Sequence, residues 1–227
     1  MTNLLVIVAA RNEADRIAAT LKALAATFPG AALWVADDAS DDGTARVALA
    51  NGGQVVSRGR PHGKGANMTA AAAAALSGEP GAAADVALVC DGDLGGSAAA
   101  LGPLVATVER GDADLAVAAF SRRVGGGFGI ALRFARWAIR SRCGYEATAP
   151  ISGQRAMRAE VLRAVLPFAA GYGMEVGMTV DAVRAGYRVT ELELELEHRT
   201  TGRTLDGFSH RGRQLRDFAR AWWARRR

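Results

Sequence analysis

The stretch DVALVCDGDL, residues 85–94, decides the fold class of this 227-residue chain. It begins as a short, continuous run of apolar and branched side chains, which is typical of a strand buried on both faces of a parallel sheet. The run ends at Asp91, Gly92 and Asp93. Carboxylates two residues apart on an extended backbone project to the same side, and the glycine between them leaves room for a ligand. Two like charges held so close favour a cation between them, so the sequence predicts a metal or diphosphate site; the alternative is a surface turn.

The same pattern occurs twice upstream. The apolar runs LLVIVAA (4–10) and ALWVA (32–36) each end in polar residues, and helical patterns separate the runs. Alternating strands and helices predict an α/β fold with a mostly parallel sheet and right-handed crossovers. Ligands of such sheets bind beyond the carboxyl ends of the strands. Polar clusters at 11–13, 37–44 and 91–93 all lie at predicted strand ends, so we expect a binding site there.

Two of these polar segments have competing interpretations. In the acidic turn DDASDDGT (37–44), Asp37 or Asp38 could accept hydrogen bonds from a nucleobase or ribose, or the turn could cap the next helix through Asp42 or Thr44. The segment GRPHGKG (59–65) is not a Walker A motif, because a glycine replaces the hydroxyl residue that would bind magnesium. Its lysine, between two glycines, remains a good contact for an anion.

The second half of the chain is less regular. We predict a strand over 114–120, a glycine-rich loop over 121–129, a helix over 130–142, a strand or turn leading into a helix over 152–166, a helix from about residue 174, a strand over 189–197 and a basic helix over 208–227. No repeat or linker interrupts the pattern. The sequence therefore predicts one domain over 1–227, with a nucleotide-binding half (1–115), an acceptor-binding half (116–207) and the C-terminal helix.

Composition excludes several classes of protein. Half of the residues are apolar and 22% are charged, which is an ordinary globular balance. Two cysteines cannot form a disulfide framework, and no apolar run is long enough to span a membrane, so we expect a cytoplasmic protein. Residues 1–115 carry a net charge of −5 and residues 116–227 a net of +10, which suits a cation site in one half and an anionic ligand in the other. Nucleic acid is not an expected partner, because no nucleic-acid-binding motif accompanies the basic excess.

Taken together, these motifs resemble family 2 glycosyltransferases with the GT-A fold. The nucleotide-side stretches are AARNE (9–13), VADDASDDGT (35–44), GKG (63–65) and CDGDL (90–94). The later stretches GGGFG, SGQRAMRAEVL, PFAAGYGMEVG and EHRTTGR are similar to glucosyl-3-phosphoglycerate synthases, and SGQRAM is also similar to polyprenyl-phosphate mannosyltransferases. The resemblance covers about residues 4–205 and implies a nucleotide-diphospho-sugar donor with Mg²⁺ or Mn²⁺.

The resemblance also implies roles for individual residues. The nucleotide side would comprise Ala10, Asn12, Glu13, Asp37, Lys64, Asp91 and Gly92. The metal would be held by Asp93 and His198, and Glu175 would contact the transferred sugar and could act as base. The acceptor side would comprise Arg122, Arg123, Gly127, Gly153 and Gln154.

One departure bears on the acceptor. The phosphoglycerate enzymes have Arg-Val-Thr after the triglycine, whereas this chain has Phe128, Gly129 and Ile130. Apolar side chains cannot supply a charge-assisted hydrogen bond, which favours a more lipid-like phosphate over phosphoglycerate. The tail QLRDFARAWWARRR (214–227) gathers apolar residues on one helical side among arginines. It could lie on an anionic membrane, or dock on its own domain or on a partner subunit in a homodimer.

We therefore expect an inverting, metal-dependent transferase that moves a hexose from a nucleotide-diphospho-sugar to a phosphate-bearing acceptor. UDP-glucose is the preferred donor and GDP-mannose follows; the acceptor would be a polyprenyl phosphate or a phosphoglycerate-like molecule. Two alternatives remain open, a sugar-phosphate nucleotidyltransferase and a non-catalytic sugar-nucleotide-binding protein. A nucleotidyltransferase usually has a glycine-rich basic loop after the first strand, and AARNEAD offers only Arg11.

Overall fold

The computed structural model describes residues 2–78, 81–120, 129–196 and 205–226. Within these ranges, seven strands form one sheet in the order β3-β2-β1-β4-β6-β5-β7. The strands are β1 (Leu4–Ala10), β2 (Ala32–Asp37), β3 (Gln54–Ser57), β4 (Val86–Asp91), β5 (Leu115–Phe120), β6 (Arg155–Arg158) and β7 (Val189–Leu194).

The sheet is mixed but mostly parallel. Strands β3, β2, β1 and β4 pair in parallel, as do β5 and β7. Only β6 runs the other way, pairing antiparallel with both β4 and β5. Its first residue, Arg155, therefore lies beside Val89, close to the carboxyl end of β4. This topology confirms the predicted fold class and brings a segment of the second half to the predicted binding edge.

Helices cover the sheet. In the described ranges they are α1 (Ile17–Thr27), α2 (Thr44–Ala50), α3 (Lys64–Ser77), α4 (Gly102–Glu109), α5 (Gly129–Cys143), α6 (Ala159–Val165), α7 (Met174–Arg184) and α8 (Leu205–Ala224). Short 3₁₀ turns occupy Gly81–Ala83, Gly95–Leu101 and Gly171–Gly173. The Gly95–Leu101 turn and α4 carry a helical run between β4 and β5 that the sequence analysis did not predict.

The strand predicted over 189–197 is shorter in the structure. The paired strand ends at Leu194, which lies opposite Phe120, the last residue of β5. The segment that follows Phe120 lies outside the described residues, and residues 195–196 pair with none of the described strands. Residue 197 lies outside the described residues.

Apolar side chains of β1 alternate between two cores. Leu5 and Ile7 face the layer that contains α3, whereas Val6 and Val8 face the layer that contains α1, and all four are fully buried. The prediction of a strand buried on both faces is therefore correct. A third cluster joins α5, α7 and α8.

The C-terminal helix docks on this third cluster through its last turns. Phe218 is 1% exposed, and Leu215 and Trp222 pack against the same cluster. Trp222 Nε1 donates to Ser141 Oγ at 2.9 Å, and the guanidinium of Arg142 lies 3.9 Å from the Trp222 ring. Docking on the chain's own domain therefore accounts for these apolar side chains. Within the described part of the chain, no helix combines the length and apolarity that crossing a bilayer requires.

Candidate active site

The side chain of Lys64 joins the two halves of the chain at the carboxyl edge of the sheet. Its Nζ lies 2.6 Å from Asp91 Oδ1 at the end of β4 and 2.8 Å from Glu175 Oε1 in the first turn of α7. Gln154 Nε2 donates to the other oxygen of Asp91 at 2.8 Å. These four side chains, which we call the Lys64 cluster, include donor-side and acceptor-side residues of the sequence analysis.

Glycines allow this cluster to be compact. A Cβ atom at Gly153 would lie 2.6 Å from Asp91 Oδ2 and 2.7 Å from Lys64 Nζ, so any larger residue would displace the ion pair. A Cβ atom at Gly65 would overlap the carbonyl oxygen of Ala169. Gly65, which follows the lysine, and Gly153, which precedes the glutamine, thus allow neighbouring atoms to approach closely.

The electrostatics of the cluster favour a charged lysine. Burial alone would lower the pKa of Lys64, but the carboxylates of Asp91 and Glu175 outweigh burial and raise that pKa above its ordinary value. The Cys90 thiol lies behind the site, and its pKa is raised mainly by burial and secondarily by Asp91. Both the complete burial of Cys90 and the raised pKa disfavour the thiolate, which is the reactive form of cysteine.

The Gly92–Asp93 turn is held by α1 and the residue before it. Thr20 Oγ1 donates to the carbonyl oxygen of Gly92 at 2.8 Å and accepts from the Gly95 amide at 2.8 Å. Arg16 NH1 donates to the carbonyl oxygen of Asp93 at 2.8 Å. These contacts fix the backbone that carries the Asp93 carboxylate.

The loop after β1 is tied to the acidic turn after β2. Asn12 adopts a positive φ of 55°, its amide donates to Ser40 Oγ at 2.9 Å, and its Oδ1 accepts from the Asp41 amide at 3.1 Å. The Glu13 amide donates to Thr44 Oγ1 at 2.9 Å. The two polar segments form one surface, as their positions at neighbouring strand ends predicted.

Both aspartates at the end of β2 are buried and already engaged. Asp37, 1% exposed, accepts from the hydroxyls of Ser40 and Ser57. Asp38 accepts from the backbone amides of residues 62–63, at 2.7 Å for the shorter contact, and thereby anchors the loop before α3. A carboxylate has more acceptor sites than these contacts use, and the predicted contact of Asp37 or Asp38 with a nucleoside stays a prediction.

The alternative role of the turn, as a helix cap, is also present. Asp42 Oδ1 accepts from the Thr44 amide at 2.9 Å, and Asp42 Oδ2 accepts from the Ala14 amide at 3.0 Å. The hydrogen bond from the Thr44 hydroxyl, followed by that from Ala14, holds the pKa of Asp42 below its ordinary value. Asp42 therefore satisfies the first amide of α2 from the position before the N-cap residue Gly43, and it also supports the loop after β1.

A buried arginine beneath the site was not anticipated from the sequence. Arg155 is 1% exposed; its Nε donates to the Ser152 carbonyl and its NH1 to Thr179 Oγ1, both at 2.9 Å. Its NH2 has no hydrogen-bond partner among the described residues. Burial lowers the pKa of Arg155 to about 10, and nearby Glu175 opposes that shift. The signal in the sequence was an arginine at the start of the short strand of SGQRAM, directly before the buried Ala156 and Met157.

Several predicted site residues cannot be placed. His198, Arg122, Arg123 and Gly127 lie outside the described residues. Ala10 is buried at the end of β1, beside Asp37. Within the described ranges, no three His, Cys, Asp or Glu side chains form a group that could hold a metal ion by themselves.

Comparison with known proteins identifies the family. The family model described as glycosyl transferase family 2 matches residues 5–166, most of the chain. The chain therefore belongs to glycosyl transferase family 2, and it is a glycosyltransferase with the GT-A fold. No curated protein sequence matches the chain significantly.

Solved structures similar to the chain include glucosyl-3-phosphoglycerate synthase from Mycobacterium tuberculosis in several complexes. The complex with phosphoglyceric acid is 25% identical with a TM-score of 0.74, and the complex with Mn²⁺, UDP-glucose and phosphoglyceric acid is 26% identical with a TM-score of 0.76. Both alignments cover 97% of this chain and 80% of the other. The complex with Mg²⁺ and UDP is 27% identical over 97% and 79% of the two chains, with a TM-score of 0.77.

Proposed function

We propose that this protein transfers a hexose, with inversion, from a nucleotide-diphospho-sugar to a phosphate-bearing acceptor in a metal-dependent reaction. The observation that carries the proposal is the Lys64 cluster, in which Lys64 Nζ lies within 2.8 Å of both Asp91 and Glu175. It lies where α/β sheets bind nucleotides, at the carboxyl ends of the strands. UDP-glucose is the favoured donor, because the similar synthase was solved with UDP-glucose, and GDP-mannose is the second choice.

The nucleoside would lie over the linked loops after β1 and β2. Asn12 and Glu13 border this surface, and the buried Asp37 supports it from below. Lys64 would contact the donor's phosphate or base side, and Asp91 the ribose side. Uracil and guanine differ in size and hydrogen-bond pattern. A comparison of UDP binding with GDP binding therefore tests directly which donor the protein uses.

The residues present fit a divalent cation held by oxygen and nitrogen ligands. Asp91 is occupied by Lys64 and Gln154, so we assign the protein's carboxylate ligand to Asp93, on a turn whose backbone is fixed by Arg16 and Thr20. His198 would be the second protein ligand, and oxygens of the donor diphosphate would complete the shell. A bound Mg²⁺ or Mn²⁺ supplies positive charge that stabilises a leaving diphosphate.

In the reaction, the acceptor oxygen forms a bond to the anomeric carbon while the bond from that carbon to the diphosphate breaks. The electron pair of the broken bond leaves with the nucleoside diphosphate. A phosphate acceptor is already ionised near neutral pH, so Glu175 would only orient the sugar. A hydroxyl acceptor must lose a proton, and Glu175 would then receive it as general base.

A lipid-like phosphate suits the surface of α5. Ile130 is 75% exposed and Trp137 is 49% exposed, and both lie on one helical face with the exposed Arg133. An apolar and cationic surface of this kind matches an acyl or prenyl chain next to a phosphate. A phosphoglycerate-like acceptor would instead need Arg122 or Arg123 for its charges.

The first test is binding. Thermal stabilisation is measured with UDP, GDP, CDP and ADP, each with and without Mn²⁺, since stabilisation grows with ligand concentration over Kd. We expect UDP with Mn²⁺ to raise Tm most. An acceptor screen with phosphoglycerate and a short polyprenyl phosphate follows. Pyrophosphate release from UTP plus glucose 1-phosphate would instead favour a nucleotidyltransferase.

Asp93→Ala should reduce donor turnover by at least about 100-fold, because it removes charge stabilisation worth several kcal/mol. The assay is UDP release from UDP-glucose. The matched control is Asp112→Ala, which removes the same charge from a carboxylate that is 56% exposed. Equal rates in the two variants would refute the assignment of Asp93, and the absence of UDP release by the unmodified protein would refute the enzymatic reaction we propose.

Glu175→Gln should separate the two kinds of acceptor. We expect transfer to a phosphate to fall by less than about threefold and transfer to an alcohol to fall by about 100-fold or more, since general-base catalysis contributes 10²–10⁴-fold. Initial rates on both acceptors provide the comparison. Equal losses on both acceptors would contradict this division of roles.

A further inference from the structure

The C-terminal helix α8 contacts the beginning of α7, the helix that carries Glu175. Asp217 of α8 accepts a hydrogen bond from the Tyr172 amide, with 3.3 Å between Oδ2 and N. The Asp217 side chain is 12% exposed, so this contact is largely shielded from water. Tyr172 belongs to the 3₁₀ turn Gly171–Gly173, which leads directly into α7.

Two glycines show how closely α8 approaches this turn. Gly171 has a φ of +59°, and a Cβ atom there would clash with the carboxylate of Asp217. A Cβ atom at Gly173 would lie 2.8 Å from the Asp217 carbonyl oxygen and 2.9 Å from Ala221 Cβ. The turn before Glu175 therefore lies directly on the backbone and side chain of α8.

The other side of the same segment lies against the start of α3, which carries Lys64. A Cβ atom at Gly63 would lie 3.5 Å from Gly171 Cα. The Phe168 amide donates to Thr69 Oγ1 at 3.0 Å. The segment 167–173 is therefore enclosed between α8 and α3, and its position sets the distance between Lys64 and Glu175.

We infer that Asp217 is a positioning residue for the transfer reaction: through the Tyr172 amide it fixes the start of α7 and thereby holds Glu175 against Lys64. The inference rests on the proposed function for the role of Glu175. It assigns to α8 a role in the chemistry, although no described residue of α8 reaches the Lys64 cluster. A misplacement of about 1 Å in a reacting group can cost up to about 100-fold in rate.

A second tether between α8 and α7 offers a matched control. Arg225 binds Asp181 through two contacts, with 2.6 Å between Nε and Oδ1. Asp181 lies six residues after Glu175, about 9 Å further along the helix axis. The Arg225 guanidinium also lies beside Gly177, so Arg225→Met keeps a long side chain at that contact while it removes the pair with Asp181. This variant should loosen α8 to a similar degree while leaving the Tyr172 contact before α7 in place.

The experiment compares Asp217→Ala, Asp217→Asn and Arg225→Met in the full chain. For transfer to an alcohol, in which Glu175 would act as base, we expect Asp217→Ala to lower kcat per folded molecule by at least about tenfold while Kd for UDP stays within about twofold. Asp217→Asn should restore the rate, because its amide oxygen can still accept from Tyr172 and the lost pair with the exposed Arg216 contributes little. Arg225→Met should lower Tm but leave kcat within about twofold.

Equal losses of kcat in Asp217→Ala and Arg225→Met would overturn the inference, since both variants would then act only by loosening α8. An unchanged kcat in Asp217→Ala would overturn it as well. Hydrogen exchange of the Tyr172 amide gives a readout without turnover: we expect it to accelerate at least about tenfold in Asp217→Ala only. If the unmodified protein hydrolyses no sugar nucleotide but the exchange result holds, the proposed function is wrong and the contact between Asp217 and Tyr172 is still supported. If the Tyr172 amide exchanges at the same rate in Asp217→Ala, that contact does not protect the amide and the inference is wrong.

Discussion

The two halves of the molecule position their site residues in different ways. In the first half, side chains after β1 and β2 are held by hydrogen bonds to the amides and hydroxyls of adjacent loops. Asp38, for example, accepts from the amides of residues 62–63. In the second half, Gln154 and Glu175 reach the site through close backbone packing at Gly153 and Gly171. The polar contacts of the first half join loops that are 24–31 residues apart in the chain, whereas the glycine contacts of the second half join segments that are 46 or more residues apart.

This difference has a consequence for substitutions. Loops with several redundant hydrogen bonds should tolerate the loss of one contact, because each contributes only about 1 kcal/mol. Close-packed junctions should not tolerate an added methyl group, because the neighbours are backbone or buried charge. The predictions below test this contrast, beginning with the residue that joins the halves.

Lys64→Met should have the largest effect on stability. It would leave Asp91 and Glu175 without the cation between them. Breaking a buried pair typically costs about 3–5 kcal/mol, and the low end applies here because the Lys64 and Asp91 side chains are 20% and 33% exposed. We expect the free energy of unfolding in urea to fall by about 3 kcal/mol. The chain has only one other lysine, the exposed Lys22, so Lys22→Met is the matched control. Similar values for the two variants would mean that the halves are not joined by this side chain.

Gly153→Ala should be next in size. The added Cβ would lie 2.6 Å from Asp91 Oδ2, and overpacking of this kind costs about 1–3 kcal/mol. We expect a lower Tm and weaker donor turnover. Gly96→Ala is the control, since a Cβ atom there meets no other heavy atom within 4 Å. If Gly153→Ala changed neither Tm nor donor turnover, the two halves would not differ in their tolerance of substitutions.

Asp114→Asn should have the smallest effect and should depend on pH. Hydrogen bonds from Arg188 hold the pKa of Asp114 below its ordinary value of 3.8. A lowered pKa in the folded state contributes stability that is present above pH 3.8 and is lost as the pH falls through the folded-state pKa. We expect Asp114→Asn to lose about 1 kcal/mol at pH 7, because the Arg188 side chain is 60% exposed, and to match the unmodified protein below the folded-state pKa. Urea unfolding between pH 2 and 7, with Asp112→Asn as control, measures this; a constant difference would contradict it.

The strand ends of the first half could be predicted because each carries its own signal. A buried apolar run followed at once by polar residues marks β1, β2 and β4, and parallel pairing then brings their ends together. Lys64 and Asp91 were predicted separately, on the nucleotide side. The contact of Lys64 with Glu175 required the fold, because the two residues are 111 positions apart in the chain.

Other features lie beyond local patterns. Arg155 is buried because β6 inserts between β4 and β5. A strand of four residues carries too short a pattern for this insertion to be predicted from the sequence. The tail's amphipathic pattern was compatible with a membrane and with a protein core. Its docking on Ile139 and Val176 is decided by tertiary packing. His198 and the arginines after β5 lie outside the described residues, so their roles stay predictions.

The reversed strand β6 limits how the chain can be divided. On one side β4 pairs with β1 of its own half, but on the other side its neighbour is β6, supplied by the second half. If residues 1–115 were expressed as a separate polypeptide, β4 would present a row of unpaired amides and carbonyls, a template for intermolecular strand pairing. We expect such a fragment to precipitate alone and to become soluble when it is co-expressed with the remainder of the chain.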